Sequence, residues 1–177
     1  MATPKKQESN KGINRICWHW TAGYARPNNL DCQHYHIMVD DKGNYHNGYH
    51  KIEDNIDCKD GNYAQHCALG NTGTIGIALC GMAGFSTNTL TSHSNITRVQ
   101  IEAGCKKIAE LCKKYKIKVD SSTVYTHMEY DSGEHGAKEG KIDIMYIPYL
   151  NLLGKDECGD YIRNKVKWYY DNTKEGK

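Results

Sequence analysis

The uncharged run T-I-G-I-A-L-C, Thr74 to Cys80, reads as a central strand, and it limits the fold because strand-like and helix-like segments alternate around it. Before it, residues 13–22 read as a strand ending at Gly23, and residues 25–32, with Pro27, Asn28 and Asn29, read as a loop. H-Y-H-I-M-V-D-D-K-G-N-Y-H-N-G reads as a β-hairpin turning at Asp41-Lys42-Gly43. After it, Ile101, Cys105, Ile108, Cys112 and Tyr115 recur at helical spacing behind Thr97, a candidate N-cap, which predicts an amphipathic helix. V-D-S-S-T-V-Y-T-H-M leads into a strand ending near His127, and Ile162, Val166 and Tyr169 mark one face of a last helix over about residues 158–170. Interleaved strands and helices in 177 residues predict a single mixed α/β domain, expected over residues 13–177 behind a flexible tail of residues 1–12.

Composition excludes several classes of function. The 23 basic and 21 acidic residues nearly cancel, leaving +2, which is no footprint for a nucleic-acid binder. The N-terminus has no apolar segment and no run approaches the ~18 apolar residues of a membrane span, so neither a secretory signal nor a membrane anchor is expected. The expected location is the cytoplasm of the producing cell, and the expected state is a monomer. Eight cysteines without a C-x-x-C pair are expected as reduced thiols, several of them small buried hydrophobes. Thirteen tyrosines against one phenylalanine supply core volume with polar tips, which suits a polar groove.

The chemistry centres on histidine, of which there are nine. In C-W-H-W-T-A-G, strand alternation puts Trp18 and Trp20 on one face, to pack, and Cys17, His19 and Thr21 on the other. A buried imidazole at His19 needs a partner. His127 sits at the end of another expected strand, and Asp143 follows it by sixteen residues. Two neutral imidazoles and a carboxylate would leave a three-ligand site with an open fourth position, as hydrolytic zinc needs. The competing reading is a set of histidines satisfied within the core, and spacing alone does not decide between them. His50 and His66 are the remaining histidines most apt to touch a substrate, and Phe85, in the polar loop of residues 82–96, is placed to line a groove wall.

Five motifs in order, H-W-T-A-G, Y-H-I-M-V-D-x-x-G, G-N-T-G-T-I-G-I-A-L-C-G, T-H-M-E and G-K-I-D-I, resemble the type-2 N-acetylmuramoyl-L-alanine amidases, which share a fold with the peptidoglycan recognition proteins and the bacteriophage amidase lysozymes. The resemblance implies a central mixed β-sheet flanked by helices, with a zinc in a groove on one face. It implies hydrolysis of the amide between N-acetylmuramic acid and L-alanine of peptidoglycan, in the setting of a phage endolysin. By the motifs, His19, His127 and Asp143 match the zinc ligands, Lys141 matches the lysine two residues before the third ligand, and Tyr35 matches the tyrosine that faces the metal in the lysozyme branch. Muropeptide-recycling members carry a catalytic glutamate where this chain has Ala78. Glu129 is the reserve candidate for a general base or for support of the metal ligands. The alternatives are a non-catalytic peptidoglycan-binding protein of the same fold and a cytosolic muropeptide-recycling amidase.

Overall fold

Eleven of the twelve expected tail residues lie outside the described part of the chain, since the computed structural model describes residues 12–173. Within it the elements run β1 (Arg15–Trp20), α1 (Asn29–His34), β2 (Ile37–Val39), β3 (Tyr45–Asn47), β4 (Thr74–Leu79), α2 (Arg98–Tyr115), β5 (Val124–Thr126), α3 (His127–Ser132), β6 (Tyr146–Ile147), β7 (Leu152–Leu153) and α4 (Lys155–Asn172). The main sheet has the order β3-β2-β4-β1-β5, and only the edge strand β3 is antiparallel. The run that begins at Thr74 therefore does lie at the centre, flanked by β2 and β1. The β2–β3 hairpin turns where expected. The Asp40 carboxylate accepts from the N–H groups of Lys42 (2.9 Å) and Asn44 (3.0 Å), and Gly43 supplies a φ of 81°.

Register divides the sheet into two faces with different work. Ile16, Trp18 and Trp20 lie level with Ile75, Ile77 and Leu79 and form the main core with Ile101, Cys105, Ile108 and Cys112 of α2 and Ile162 and Val166 of α4. Burial of this face is the dominant stabilising term, at ~25 cal/mol per Å² of apolar surface. Helix α2 begins at the expected cap. Thr97 Oγ1 accepts from Gln100 N–H at 3.2 Å, and Gln100 Oε1 accepts from Thr97 N–H at 2.8 Å. It approaches the sheet closely at Gly104, where a Cβ would meet the Trp18 ring at 2.9 Å. The opposite face carries Cys17 and His19 level with Gly76 and Ala78. All eight cysteines are free.

Two short helices depart from the expected elements. The loop expected over residues 25–32 contains the start of α1, which a capping box holds: Asp31 N–H donates to Asn28 Oδ1 and Asn28 N–H to Asp31 Oδ2, both at 2.9 Å. The strand ending near His127 is followed at once by α3, begun by Thr126. No described helix is long and apolar enough to cross a membrane.

Candidate active site

Three elements deliver three side chains to one point. His19 rises from β1 on the face away from α2 and is fully buried. Ala78, its lateral neighbour on β4, and Gly76, the neighbour of Cys17, have almost no side-chain volume and leave space for rings above the sheet. His127 is the first residue of α3, whose start is fixed by Thr126 and Glu129: Glu129 N–H donates to Thr126 Oγ1 (3.2 Å), and Thr126 N–H donates to Glu129 Oε2 (2.8 Å). Asp143 arrives on the connection after α3 and is tied back to it, because Met128 N–H donates to the Asp143 carbonyl at 2.7 Å.

The result is a tight trio. Asp143 Oδ2 lies 2.8 Å from His19 Nδ1 and 3.2 Å from His127 Nδ1, which is also 3.1 Å from Asp143 Oδ1. The two imidazole centroids are 4.5 Å apart. Burial pushes His19 down to about 4, and the neighbouring His127 adds to this, so His19 is a neutral imidazole. Burial would lower His127 too, but hydrogen bonds with Asp143 and Cys67 outweigh it and raise His127 to about 9. For Asp143, burial works against the carboxylate, and its contacts with both histidines still hold it below the usual range. With protein groups alone, a shared proton balances the carboxylate; a divalent cation can take that place.

The loop before Asp143 is organised by a clamp that the sequence does not reveal. The Asp131 carboxylate, on α3, accepts from the backbone N–H groups of Glu139 (2.9 Å), Gly140 (2.9 Å) and Lys141 (3.0 Å). Burial would raise Asp131, yet these three donors keep it below its ordinary value. The clamp presents Lys141 at the rim of a cavity of about 600 Å³, whose lining includes Trp20, Tyr35, Phe85, His127 and Asp143. A second cavity of about 390 Å³ shares Gln65, His66, His127 and Lys141 with it, so the two adjoin.

The expected residues do not all fall in the groove. The Tyr35 ring lies 5.1 Å from that of His19, and burial pushes its phenol well above the ordinary value, so it keeps its proton. Phe85 lines the groove, packed between Trp20 (5.2 Å) and Tyr146 (6.0 Å). Lys141 Nζ lies 3.1 Å from a Glu139 carboxylate oxygen. His50 lies beside Asp54, 3.9 Å away, and is not among the residues lining either cavity. His66, expected to face substrate, is 6 % exposed and has both ring nitrogens engaged within the protein, with His19 and the Thr74 carbonyl. Glu129, the reserve candidate, has both carboxylate oxygens engaged elsewhere: it holds Arg163 with contacts of 2.8 and 3.0 Å and caps α3.

A second trio of potential ligand atoms, from Cys17, His19 and His66, also gathers within 4.8 Å. It is wholly buried, and burial followed by the Cys67 contact drives the Cys17 thiol well above its ordinary value, so it offers no ready thiolate. The trio of His19, His127 and Asp143 also lies within 4.8 Å, and His127 and Asp143 open onto the groove. Two nitrogens and a carboxylate oxygen with one open side form a donor set suited to a hydrolytic zinc ion.

A mixed α/β sheet with such a donor set beside a groove has the form of a hydrolase domain. The chain belongs to the N-acetylmuramoyl-L-alanine amidase family, whose profile matches residues 9–143. Among solved structures, the N-acetylmuramoyl-L-alanine amidase LysC from Clostridium intestinale URNW aligns over 90% of this chain and 89% of its own, with 16% identity and a TM-score of 0.52. The endolysin amidase LysCS from the same organism aligns over 89% and 86%, with 15% identity and a TM-score of 0.52. The PlyG catalytic domain aligns over 94% and 87%, with 18% identity and a TM-score of 0.54. At these identities the likeness is one of fold. No curated protein sequence matches the chain.

Proposed function

We propose that the protein is a zinc-dependent amidase that cleaves the bond between N-acetylmuramic acid and L-alanine in peptidoglycan, acting on the cell wall as an endolysin after release from the producing cell. The convergence of His19, His127 and Asp143 beside an open groove that His127 and Asp143 line carries this reading. Family membership supplies the bond cleaved, and the likeness to an endolysin amidase supports the setting. Two adjoining cavities of about 600 and 390 Å³ leave room for a substrate with both sugar and peptide parts.

His19, His127 and Asp143 are the residues that would hold zinc. Bound there, zinc would polarise the scissile carbonyl and lower the pKa of water at its open position. The chain's own groups supply the rest. Tyr35, protonated and beside His19, can donate a hydrogen bond to a carbonyl oxygen entering the groove. Lys141, whose backbone is held at the rim by the Asp131 clamp, pairs its ammonium with Glu139 in this structure and would reach the same region by leaving that exposed pair. Its charge counts most after attack, when the carbonyl oxygen has become an oxyanion, so it acts on the barrier more than on binding. Lys141→Ala is therefore expected to lower kcat by about 10²–10³ and to leave KM and zinc content little changed. A variant as active as the parent would remove this role.

Digestion of purified peptidoglycan tests the whole proposal. Mass spectrometry should find new L-alanine amino termini and no new reducing sugar ends; reducing ends would mean a glycosidase. Removal of zinc by a chelator should stop turnover, and added zinc should restore it. A non-catalytic binding protein would retain the wall without cleaving it, whereas the intact donor set supports turnover. A muropeptide-recycling enzyme would prefer soluble fragments to intact sacculi. The position beside His19 where such enzymes carry a glutamate is Ala78, which has no carboxylate to offer.

A further inference from the structure

We infer that His66 is a positioning residue that sets the tautomer of His19, turning the Nδ1 lone pair of His19 toward Asp143 and His127. The inference rests on the zinc reading above. It follows from counting donors along a buried chain of contacts. The Thr74 carbonyl oxygen can only accept, so His66 Nε2, 3.2 Å away, carries the hydrogen. Neither ring nitrogen of His66 meets a carboxylate; the other partner is His19 Nε2, 3.1 Å from His66 Nδ1. A neutral His66 with its proton on Nε2 has a bare Nδ1, which accepts the hydrogen of His19 Nε2. His19 Nδ1 is then bare as well, and it lies 2.8 Å from Asp143 Oδ2. The Asp143 carboxylate can only accept as well, so without a cation it competes with Thr74 for the two ring hydrogens; with a cation held between His19 Nδ1 and Asp143 the competition ends and every contact is satisfied. The relay thus directs toward the groove the nitrogen a metal ion needs.

The local structure is built to hold this ring in one pose. The backbone N–H groups of His66 and Cys67 both donate to Asn71 Oδ1, at 3.0 and 2.9 Å. Beneath the ring lies Gly76, the lateral neighbour of Cys17 on β4. A Cβ there would meet His66 Cγ at 2.5 Å, so only glycine admits the imidazole without a shift.

The test combines ring spectroscopy with zinc affinity. In ¹⁵N-labelled, zinc-loaded protein, long-range couplings should show His66 protonated at Nε2 and bare at Nδ1. A proton on His66 Nδ1 would overturn the proposal, since His66 would then donate to His19 and reverse its tautomer. In chelator competition, His66→Leu should bind zinc about 10–100-fold more weakly than the parent. His66→Asn, whose side-chain oxygen can take the place of Nδ1 as acceptor, should recover most of the loss. A folded Leu variant with parental zinc affinity would overturn the proposal and leave the zinc reading standing. A parent protein that takes up no zinc would overturn both. If the Leu variant does not fold, the parental tautomer and the Asn variant still decide the question.

Discussion

Asp143→Ala is expected to abolish turnover and strip the protein of zinc at concentrations that saturate the parent. Asp143 is the one member of the trio hydrogen-bonded to both others, and it alone brings the negative charge that balances a divalent cation. Without it, two imidazoles would face the metal with no anionic ligand. The expected fall in kcat/KM is ~10³-fold or more, on the order of 4 kcal/mol at the barrier. The same substitution has a signature that needs no substrate. In zinc-free protein, His127 should titrate near the raised value of about 9, because Asp143 and Cys67 outweigh the burial that opposes the charged form. Removing Asp143 should bring its midpoint down by NMR. The sign carries over to stability. His127 binds its proton more tightly in the folded chain, so its contribution is full below the ordinary value of 6.5 and is lost as pH rises through about 9. Zinc-free parent protein should therefore lose stability across that window, and Asp143→Ala should lose less. An active, zinc-replete Asp143→Ala protein would refute the assignment of the ligands.

Much of the scaffold was legible because it obeys short periods. Alternation in β1 separated Trp18 and Trp20 from Cys17 and His19, and the structure puts the first pair in the core and the second on the site face. Helical spacing and Thr97 located α2. The six-residue helices α1 and α3 were missed because fewer than two turns show no periodicity, and their caps look like turn residues. The site was legible only in part. The order of the family motifs, and no local pattern, joined His19 to residues more than a hundred positions away. Sequence could not show that Asp131 clamps residues 139–141, because a carboxylate receiving three backbone N–H groups leaves no mark at those positions. Nor could it show where His66 goes. That depends on Gly76 leaving a hollow under the ring, a fact about register between segments.

Glu129 gives the second large effect, and it concerns stability where a role as base would concern chemistry. The Glu129 and Arg163 side chains are 12% and 7% exposed. Arg163 donates to Glu129 Oε1 at 2.8 Å and Oε2 at 3.0 Å, and also to the Val124 carbonyl at the end of the sheet. One carboxylate thus joins α4, β5 and the start of α3, where His127 sits. Glu129→Ala would leave a buried guanidinium with only Asp160 and a carbonyl, and would strip Thr126 N–H of its acceptor. Loss of one partner from a buried pair costs about 3–5 kcal/mol, a large share of a domain's ~5–15 kcal/mol. Urea denaturation should show this loss. Arg163→Met alone should be costly as well, while the Glu129→Ala/Arg163→Met double variant should lose clearly less than the sum, because the second change removes the stranded charge. A general base lost at this position would instead cost about 10²–10⁴ in turnover. For Glu129→Gln, assayed where it is folded, turnover within a few fold of the parent is expected. A folded Gln variant that had lost turnover while keeping its stability would restore Glu129 as a base.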